Sequence, residues 1–214
     1  YIITPETAKH RFFVFAPMTL LPDHKLYAIC VDDAWVQGVL SSRIAVAFIL
    51  ATGGRMGVGN DPIFNNTRCF DPFPFPDATE PQKERIRNLA EQLDAHRKRV
   101  QAEHPDVTLT DMYNALERTR ETVTGGRPLD SKERAFHDRA LIGLLLSSHD
   151  DLDAAVAGAY GWPVNLPDDE VLTRLVSLNA VRAAEEAKGT VRWLRPDFQR
   201  VRAGIAPAVQ QQLV

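Results

Sequence analysis

The sequence has few cysteines and none of the spacings that hold a metal or frame a small secreted domain. Cys30 and Cys69 lie far apart, and no signal-peptide pattern accompanies them. We therefore predict two free thiols in a reducing compartment instead of a disulfide framework. The six histidines form no close pair with each other or with a cysteine, although structural zinc sites are built from such pairs. The sequence thus predicts no metal site.

Long apolar runs and an excess of one charge are also missing. The best candidate run, residues 36–51, is interrupted by polar residues and by Arg43, whereas a membrane-spanning helix needs about 20 apolar residues. We expect a soluble, cytoplasmic protein without a membrane partner. The net charge of -3 gives no overall attraction to a polyanion. Any contact with nucleic acid must therefore be local.

Motifs for catalysis and nucleotide binding are missing as well. No Gly-x-Ser-x-Gly nucleophile elbow occurs. Gly57-Val58-Gly59 is followed by Asp61-Pro62 and not by the helix start that would hold a phosphate. Glu185 and Glu186 are adjacent on a predicted helix, where spacing alone does not form an acid/base pair. Ion pairs of these glutamates with nearby cations are the simpler interpretation, the candidates being Arg182, Lys188, Arg192 and Arg195. We predict no catalytic and no cofactor-binding residue.

Hydrophobic periodicity divides the chain into a mixed part and a helical part. Two short apolar runs, 11–16 and 26–31, predict strands, and the second is apolar on both faces, as in a central strand. Asp32 and Asp33 then cap a buried helix over 34–51. After residue 78 the pattern predicts only helices, at 79–104, 110–122, 131–147, 150–160 and 168–188. The predicted fold class is α+β, predominantly α, with a small mixed α/β subdomain followed by an all-α helical domain.

The first helix of the second part carries a clear start signal and a narrow apolar stripe. Thr79 and Gln82 form a capping-box pattern around Pro81. The stripe has near-heptad spacing on an otherwise charged helix and comprises Ile86, Leu89, Leu93 and Val100. Such a stripe favours packing against one neighbouring helix over burial in a wide core.

Residues 53–76 are rich in glycine, proline, arginine and asparagine, and such a segment is neither a helix nor an uninterrupted strand. Its polar residues alternate with four apolar ones, which we expect to anchor the segment: Met56, Val58, Ile63 and Phe64. Arginine and asparagine match the edges of guanine and adenine, and aspartate can accept from cytosine. The same residue types also build turns. The composition therefore leaves two interpretations open, a base-reading loop and a turn-rich connection.

Several motifs, taken in order, resemble one family. They are Thr4-Pro5-Glu6, Lys9-His10-Arg11-Phe12, Leu21-Pro22-Asp23, Asp32-Asp33-Ala34, Gly38-Val39-Leu40-Ser41-Ser42-Arg43, Phe64 to Pro76, and Leu178 to Pro196. This ordered set resembles the carboxy-terminal half of the target-recognition domain, and the helical tail after it, in large DNA adenine methyltransferases. These are the single-chain type IIL and IIG restriction-modification enzymes and their relatives without nuclease activity.

The resemblance implies that 1–78 is the C-terminal half of a DNA target-recognition domain and that 79–214 is a helical C-terminal domain. In that family a separate core binds S-adenosylmethionine and carries an Asn-Pro-Pro-Tyr motif that holds a flipped adenine. This motif does not occur here. Because the sequence also starts at Tyr1, we expect a fragment that is inactive alone. The implied partners are double-stranded DNA and the missing methyltransferase domain, where S-adenosylmethionine is expected; no cofactor is expected in this chain.

The resembling segments also indicate DNA contacts. The predicted contacts are Arg55, Asn60, Asp61, Asn65 and Arg68, with His10 and Arg11 as secondary candidates. Arg43 has two open interpretations, the family's Ser-Ser-Arg motif and an ion pair with Asp32 or Asp33. The Phe-Pro stretch from Phe70 to Pro76 is interpreted as a hydrophobic strap. An alternative function is a helical assembly module without base reading, which would use Leu89 and Leu93.

Overall fold

The computed structural model describes residues 1–58, 61–195, 199–200 and 203–204. The described chain forms a small sheet, a short hairpin and a larger group of helices, so the predicted class, predominantly α with a small mixed region, is confirmed. The strands are β1 (Ile2–Pro5), β2 (Val14–Phe15), β3 (Leu26–Ile29), β4 (Arg55–Met56) and β5 (Asp61–Pro62). The helices are α1 (Ala34–Ser41), α2 (Arg43–Thr52), α3 (Glu80–Glu103), α4 (Leu109–Val123), α5 (Ser131–Arg139), α6 (Ile142–Tyr160) and α7 (Asp168–Glu186).

The three-stranded sheet has the order β2-β1-β3, and both pairings are antiparallel. Its central strand is β1, where Ile2 and Thr4 are buried, and not β3 as the sequence predicted. The exposed Ala28 shows that one face of β3 meets solvent, so an apolar sequence did not require burial on both faces. The predicted strand 11–16 shortens to Val14–Phe15.

The helix predicted over 34–51 is two helices that meet at Ser42 with a bend of 65°. Ser42 has an extended backbone, its hydroxyl donates to Val39 O at 2.7 Å, and it accepts from Ala45 N at 3.4 Å as the N-cap of α2. A serine can replace the helical hydrogen bond with its own side chain in this way. No single described helix is long and apolar enough to cross a membrane; α1 and α2 meet that criterion only together.

Helix α3 lies between α1 and α6 and is the centre of the larger core. Ile86, Ala90, Leu93 and Val100 are fully buried, so the prediction of one neighbour was wrong. The Thr79 capping box is confirmed. Helices α1 and α3 approach closely at Gly38, where an added Cβ would lie 2.7 Å from Ile86 Cγ2 and 3.0 Å from Ala90 Cβ.

The larger core contains residues from both sides of the predicted boundary at residue 78. Val39, Ile44 and Phe73 share one buried cluster with residues of α3, α4 and α6. The helices after the sheet therefore pack directly onto α1 and α2. The division into 1–78 and 79–214 stays a prediction.

The break between α5 and α6 falls at Leu141, whereas the sequence predicted helices over 131–147 and 150–160. Ala140 ends α5 by donating its N–H to Phe136 O at 2.8 Å. Leu141 then has φ 50°, in the left-handed region. The Cβ of a leucine disfavours this region, so the residue type gives no signal for the break.

A buried polar network ties the N-terminal sheet to the helices. Phe13 O accepts from Gln37 Nε2 at 2.9 Å and from Arg97 Nη1 at 3.0 Å. Arg97 also donates to Tyr113 Oη, which lies 2.8 Å from His149 Nε2. Burial first, and then the charges of nearby arginines, lower the pKa of His149 well below its usual value. His149 is therefore neutral at pH 7, and the network carries the positive charge of Arg97.

Asp153 of α6 is a second titratable group, and it is partly buried. Its Oδ1 accepts from Arg43 N at 2.7 Å, at the start of α2. Burial raises the pKa of Asp153 to about 6, against the opposing effects of that hydrogen bond and of nearby arginines. The folded protein therefore keeps a proton on Asp153 at pH values at which the unfolded chain has released it.

We predict that Asp153→Asn changes the pH dependence of stability. Because the folded pKa is above the unfolded value of 3.8, the wild type should lose stability relative to the variant between about pH 4 and pH 6. The difference should reach about 2–4 kcal/mol and then stay constant. Urea unfolding of both proteins at several pH values measures this difference in the free energy of unfolding. His149 is present in both proteins, so its titration cancels in the comparison. Parallel pH profiles would contradict the prediction.

Candidate nucleic-acid interface

The segment after α2 turns sharply at Gly53. Gly53 N donates to Ile49 O at 2.8 Å and ends the helix. A Cβ on Gly53 would lie 2.3 Å from Ile63 O and 2.8 Å from Ile49 O, so only glycine allows these backbones to come so close. The chain therefore leaves α2 directly beside the strand that returns from the hairpin.

Strands β4 and β5 form a hairpin that carries two of the predicted contacts, Arg55 and Asp61. Arg55 pairs with Pro62 and Met56 with Asp61, in antiparallel register. Ile63 N donates to Gly54 O at 2.9 Å, which extends the ladder towards the base. Gly57 follows β4 with φ 79°, a conformation that favours glycine. The fold thus places Arg55 and Asp61 on the two strands of one hairpin.

The base of the hairpin is fixed to the N-terminal segment. Phe64 N donates to Glu6 O at 2.7 Å, and Thr7 forms a β-bridge with Ile63. Beneath it lies Arg11, whose side chain donates to Thr4 Oγ1 and to the carbonyls of residues 5, 6 and 62. The Arg11 guanidinium also lies over the Phe64 ring, 5.6 Å from its centroid.

Arg11 is 6% exposed, so the structure gives it a role inside the protein and not on the predicted contact surface. Burial lowers the pKa of Arg11 to about 10, which leaves it protonated at pH 7. A cation that donates to several carbonyls holds them at a fixed separation. We call Arg11 with these carbonyls the hairpin brace.

A π-helical turn, Asn66–Phe70, follows the hairpin. Asn65 Oδ1 accepts from Thr67 N at 3.0 Å and from Thr67 Oγ1 at 2.7 Å, so this predicted contact also starts the turn. Cys69 is fully buried, and its Sγ lies 3.9 Å from both Ile49 O and Ile63 O. Arg68 points out of the turn and is exposed.

The remaining predicted contacts lie in three different surroundings. Arg55 is exposed and Asp61 is half-buried. His10 contacts the helical half, with its Nε2 2.8 Å from Asn114 Oδ1 of α4. Asn60 falls outside the residues that the structure describes.

Only two of the four apolar residues that were expected to anchor the hairpin segment are buried or half-buried. Phe64 is fully buried and Ile63 is half-buried, as expected of anchors. Met56 is 57% exposed and Val58 is fully exposed, so the expectation that they anchor the segment was wrong. They belong to the surface that the hairpin presents.

The interpretation of the Phe-Pro stretch as a strap agrees with its packing. Phe73 is buried, and its ring lies 5.4 Å from Phe48 of α2 and 5.1 Å from Phe75. Phe75 also contacts the Trp35 ring of α1 at 5.9 Å. These edge-on and tilted aromatic contacts hold the strap to the first two helices.

The C-terminal tail closes over this strap and leaves a cleft of about 490 Å³ between them. Asp77, directly after the strap, accepts from Arg182 at 3.0 Å and from Arg192 at 3.1 Å. Glu185 pairs with the same two arginines, which confirms its predicted role in ion pairs. Arg195 donates to Cys30 O at 2.5 Å. The tail is thus docked through charged contacts.

Arg43, for which the sequence left two interpretations, points to the helical half. Its guanidinium donates to Asp168 Oδ1 and Leu166 O. Asp33 pairs instead with Arg87 of α3, at 2.9 and 3.0 Å. The predicted partners of Arg43 were therefore wrong, since the bend at Ser42 turns it towards α7. Within the described residues, no group of three or more His, Cys, Asp or Glu side chains is placed to hold a metal ion.

These elements define a small antiparallel sheet with a braced hairpin, packed on a helical bundle. This fold is similar to part of the type IIL restriction-modification enzyme MmeI, solved in complex with DNA. The TM-score is 0.61 at 18% sequence identity. The similarity covers 84% of this chain and 21% of the MmeI chain, so this chain corresponds to about a fifth of that protein.

At this identity the similarity is one of fold, and the neighbour is of the enzyme class that the sequence motifs resemble. No protein-family model and no curated protein matches the sequence.

Proposed function

We propose that this chain recognises a DNA sequence and positions the duplex for an adenine-specific (N6) DNA methyltransferase or fused restriction-modification enzyme. The catalytic domain lies outside the chain. The observation that carries the proposal is the β4–β5 hairpin, which presents Arg55, Met56 and Asp61 beyond a braced base. A two-stranded ribbon fits the major groove of B-DNA, which is about 12 Å wide. The fold similarity to an enzyme solved with DNA supports the same role.

The hairpin and the π-helical turn are proposed to have different roles, base reading and phosphate binding. Arg55 and Asp61 are proposed to read base edges, because their pairing partners hold them at a fixed register. Arg68 on the adjoining turn is proposed to bind phosphate, which positions the duplex without reading it. Asn65 uses its amide oxygen in the turn, which leaves its NH₂ group as the donor towards DNA. Asn60 keeps its predicted role as a base contact.

Methyl transfer is assigned to another part of the complete protein. We expect S-adenosylmethionine to bind there, since neither the Asn-Pro-Pro-Tyr motif nor a glycine-rich cofactor turn occurs in this sequence. The net charge of -3 implies that DNA affinity depends on the local cations and falls steeply with salt. We propose a cytoplasmic location and no membrane partner.

The first test of this function is Arg55→Ala in the complete protein. Loss of one bidentate base contact should cost about 1–3 kcal/mol and relax the preference at one position of the recognised site. Arg68→Ala should instead weaken binding to all sequences and lower the salt slope by about one. Selection from randomised duplexes, followed by salt titration of the winning site, measures both effects.

Arg134→Ala, at an exposed arginine of α5, is the matched control and should change neither preference nor salt slope. An Arg55→Ala protein with lower thermal stability and unchanged site preference would overturn the base-reading role.

The alternative function, a helical assembly module, is not supported at the residues predicted to form its contact surface. Leu93 is fully buried and Leu89 is partly buried, both in the core of this chain. Substitutions there would report on folding and not on association.

A further inference from the structure

The hairpin segment exposes two large apolar side chains to water in the free protein. Met56 is 57% exposed and Val58 is fully exposed. Single exposed apolar residues are ordinary on protein surfaces. These two, however, lie close together in the segment of the β4–β5 hairpin that also carries the exposed Arg55.

The register of the hairpin places Met56 directly opposite Asp61. Directly opposed residues have their side chains on the same face of a two-stranded ribbon, about 5 Å apart at Cβ. Successive residues of a strand point to opposite faces, so Arg55 lies on the other face with Pro62. One face of the hairpin therefore combines an apolar side chain with a carboxylate acceptor.

That combination has a match in the major groove of DNA. Thymine presents its 5-methyl group there, while adenine N6 and cytosine N4 present amino donors. The minor groove offers no methyl group. An aspartate would repel a phosphate but accepts from an amino group, so this face suits base edges and not the backbone.

We infer that Met56 and Val58 read thymine by contact with its 5-methyl group, and that Asp61 accepts from an adjacent adenine or cytosine amino group. The inference rests on the proposed function and adds a chemical class of base to it. The recognised site should therefore contain thymine at the position that faces Met56.

The test replaces each thymine of the recognised site, one at a time, with deoxyuridine, which differs only by the missing methyl group. With the complete protein, at least one replacement should weaken binding roughly 3- to 10-fold, the effect of one buried methyl group. Met56→Ala or Val58→Ala should weaken binding to the thymine duplex by a similar factor. In the variant that loses the contact, thymine and uracil duplexes should bind alike at that position.

Met18→Ala is the matched control, because Met18 is an 85% exposed methionine outside the hairpin. It should bind as the wild type does and keep the discrimination between thymine and uracil. The deoxyuridine duplexes are tested with the unchanged protein. A loss of affinity for one of them therefore cannot come from misfolding of a variant.

The outcomes separate this inference from the function on which it rests. Equal binding of thymine and uracil duplexes at every position, with site preference intact, overturns the methyl contact and leaves the proposed function standing. Absence of any site preference overturns both. Met56→Ala or Val58→Ala proteins that keep the wild-type discrimination but lose contact with another protein domain would show that the apolar tip docks on protein, and would also overturn the inference.

Discussion

Gly38→Val is expected to lower the free energy of unfolding by about 3 kcal/mol or more, since overpacking of a tight core costs that order of energy. The Cβ of any residue at position 38 would lie 2.7 Å from Ile86 Cγ2 and 3.0 Å from Ala90 Cβ, and the two methyl groups of valine need further space. Ile86 and Ala90 are fully buried, so neither has space to withdraw. Helix α1 would have to move away from α3, and the sheet and strap that pack on α1 would move with it. Urea unfolding measures the loss.

Gly158→Ala in α6 is the control for the effect of a glycine within a helix. A Cβ at Gly158 meets nothing within 4 Å, so the better helix propensity of alanine should stabilise the protein by up to about 1 kcal/mol. Adding Ile86→Ala to Gly38→Val should recover part of the loss, because it removes the clashing methyl group. A stable Gly38→Val protein would mean that the two helices do not approach as described.

Arg97→Ala is expected to cost about 3–5 kcal/mol, the range for removing a large buried side chain. Arg97 is 1% exposed and is among the largest fully buried side chains. Its removal opens a cavity and takes one donor each from Phe13 O and Tyr113 Oη. These acceptors keep contacts with Gln37 and His149, so the cavity supplies most of the loss.

Arg97→Met separates the volume of the side chain from its charge. Methionine fills most of the space and removes a buried cation, whose desolvation is itself unfavourable. We expect the methionine variant to lose less than half as much stability as the alanine variant. Arg99→Ala, at an exposed position of the same helix, should change stability by less than about 0.5 kcal/mol. Equal losses for alanine and methionine would assign the effect to the hydrogen bonds.

Local signals in the sequence predicted the helices well where caps and periodicity agreed. The capping box at Thr79 set the start of α3, and Asp33 caps α1 by accepting from Trp35 N at 3.0 Å. The break at Ser42 was missed because apolar residues continue on both sides of it. The central strand β1 was missed because only its two pairings, with β2 and β3, make it central.

The candidate site was predictable as a segment but not as a surface. Composition identified residues 53–76, and the strap and the ion pairs of Glu185 follow from charge and apolar content. Which side chains of the hairpin face water depends on the register of β4 with β5, and no local pattern encodes that register. Arg11 was predicted as a DNA contact because its burial depends on tertiary packing, which the local sequence does not show. The burial of Arg97 had a signal in the sequence, because helical spacing places Arg97 on the same face of α3 as the buried Ala90 and Leu93.

The hairpin brace holds main-chain atoms, and this has a consequence for how such a chain can change over generations. Three of the acceptors of Arg11 are backbone carbonyls, at residues 5, 6 and 62. A carbonyl is present whatever residue occupies the position, so substitutions at these three positions leave the acceptors in place. Residues 55, 56 and 58 are not among the acceptors of Arg11. Under the function proposed above, substitutions at residues 55, 56 and 58 are expected to change the base preference while the brace stays unchanged.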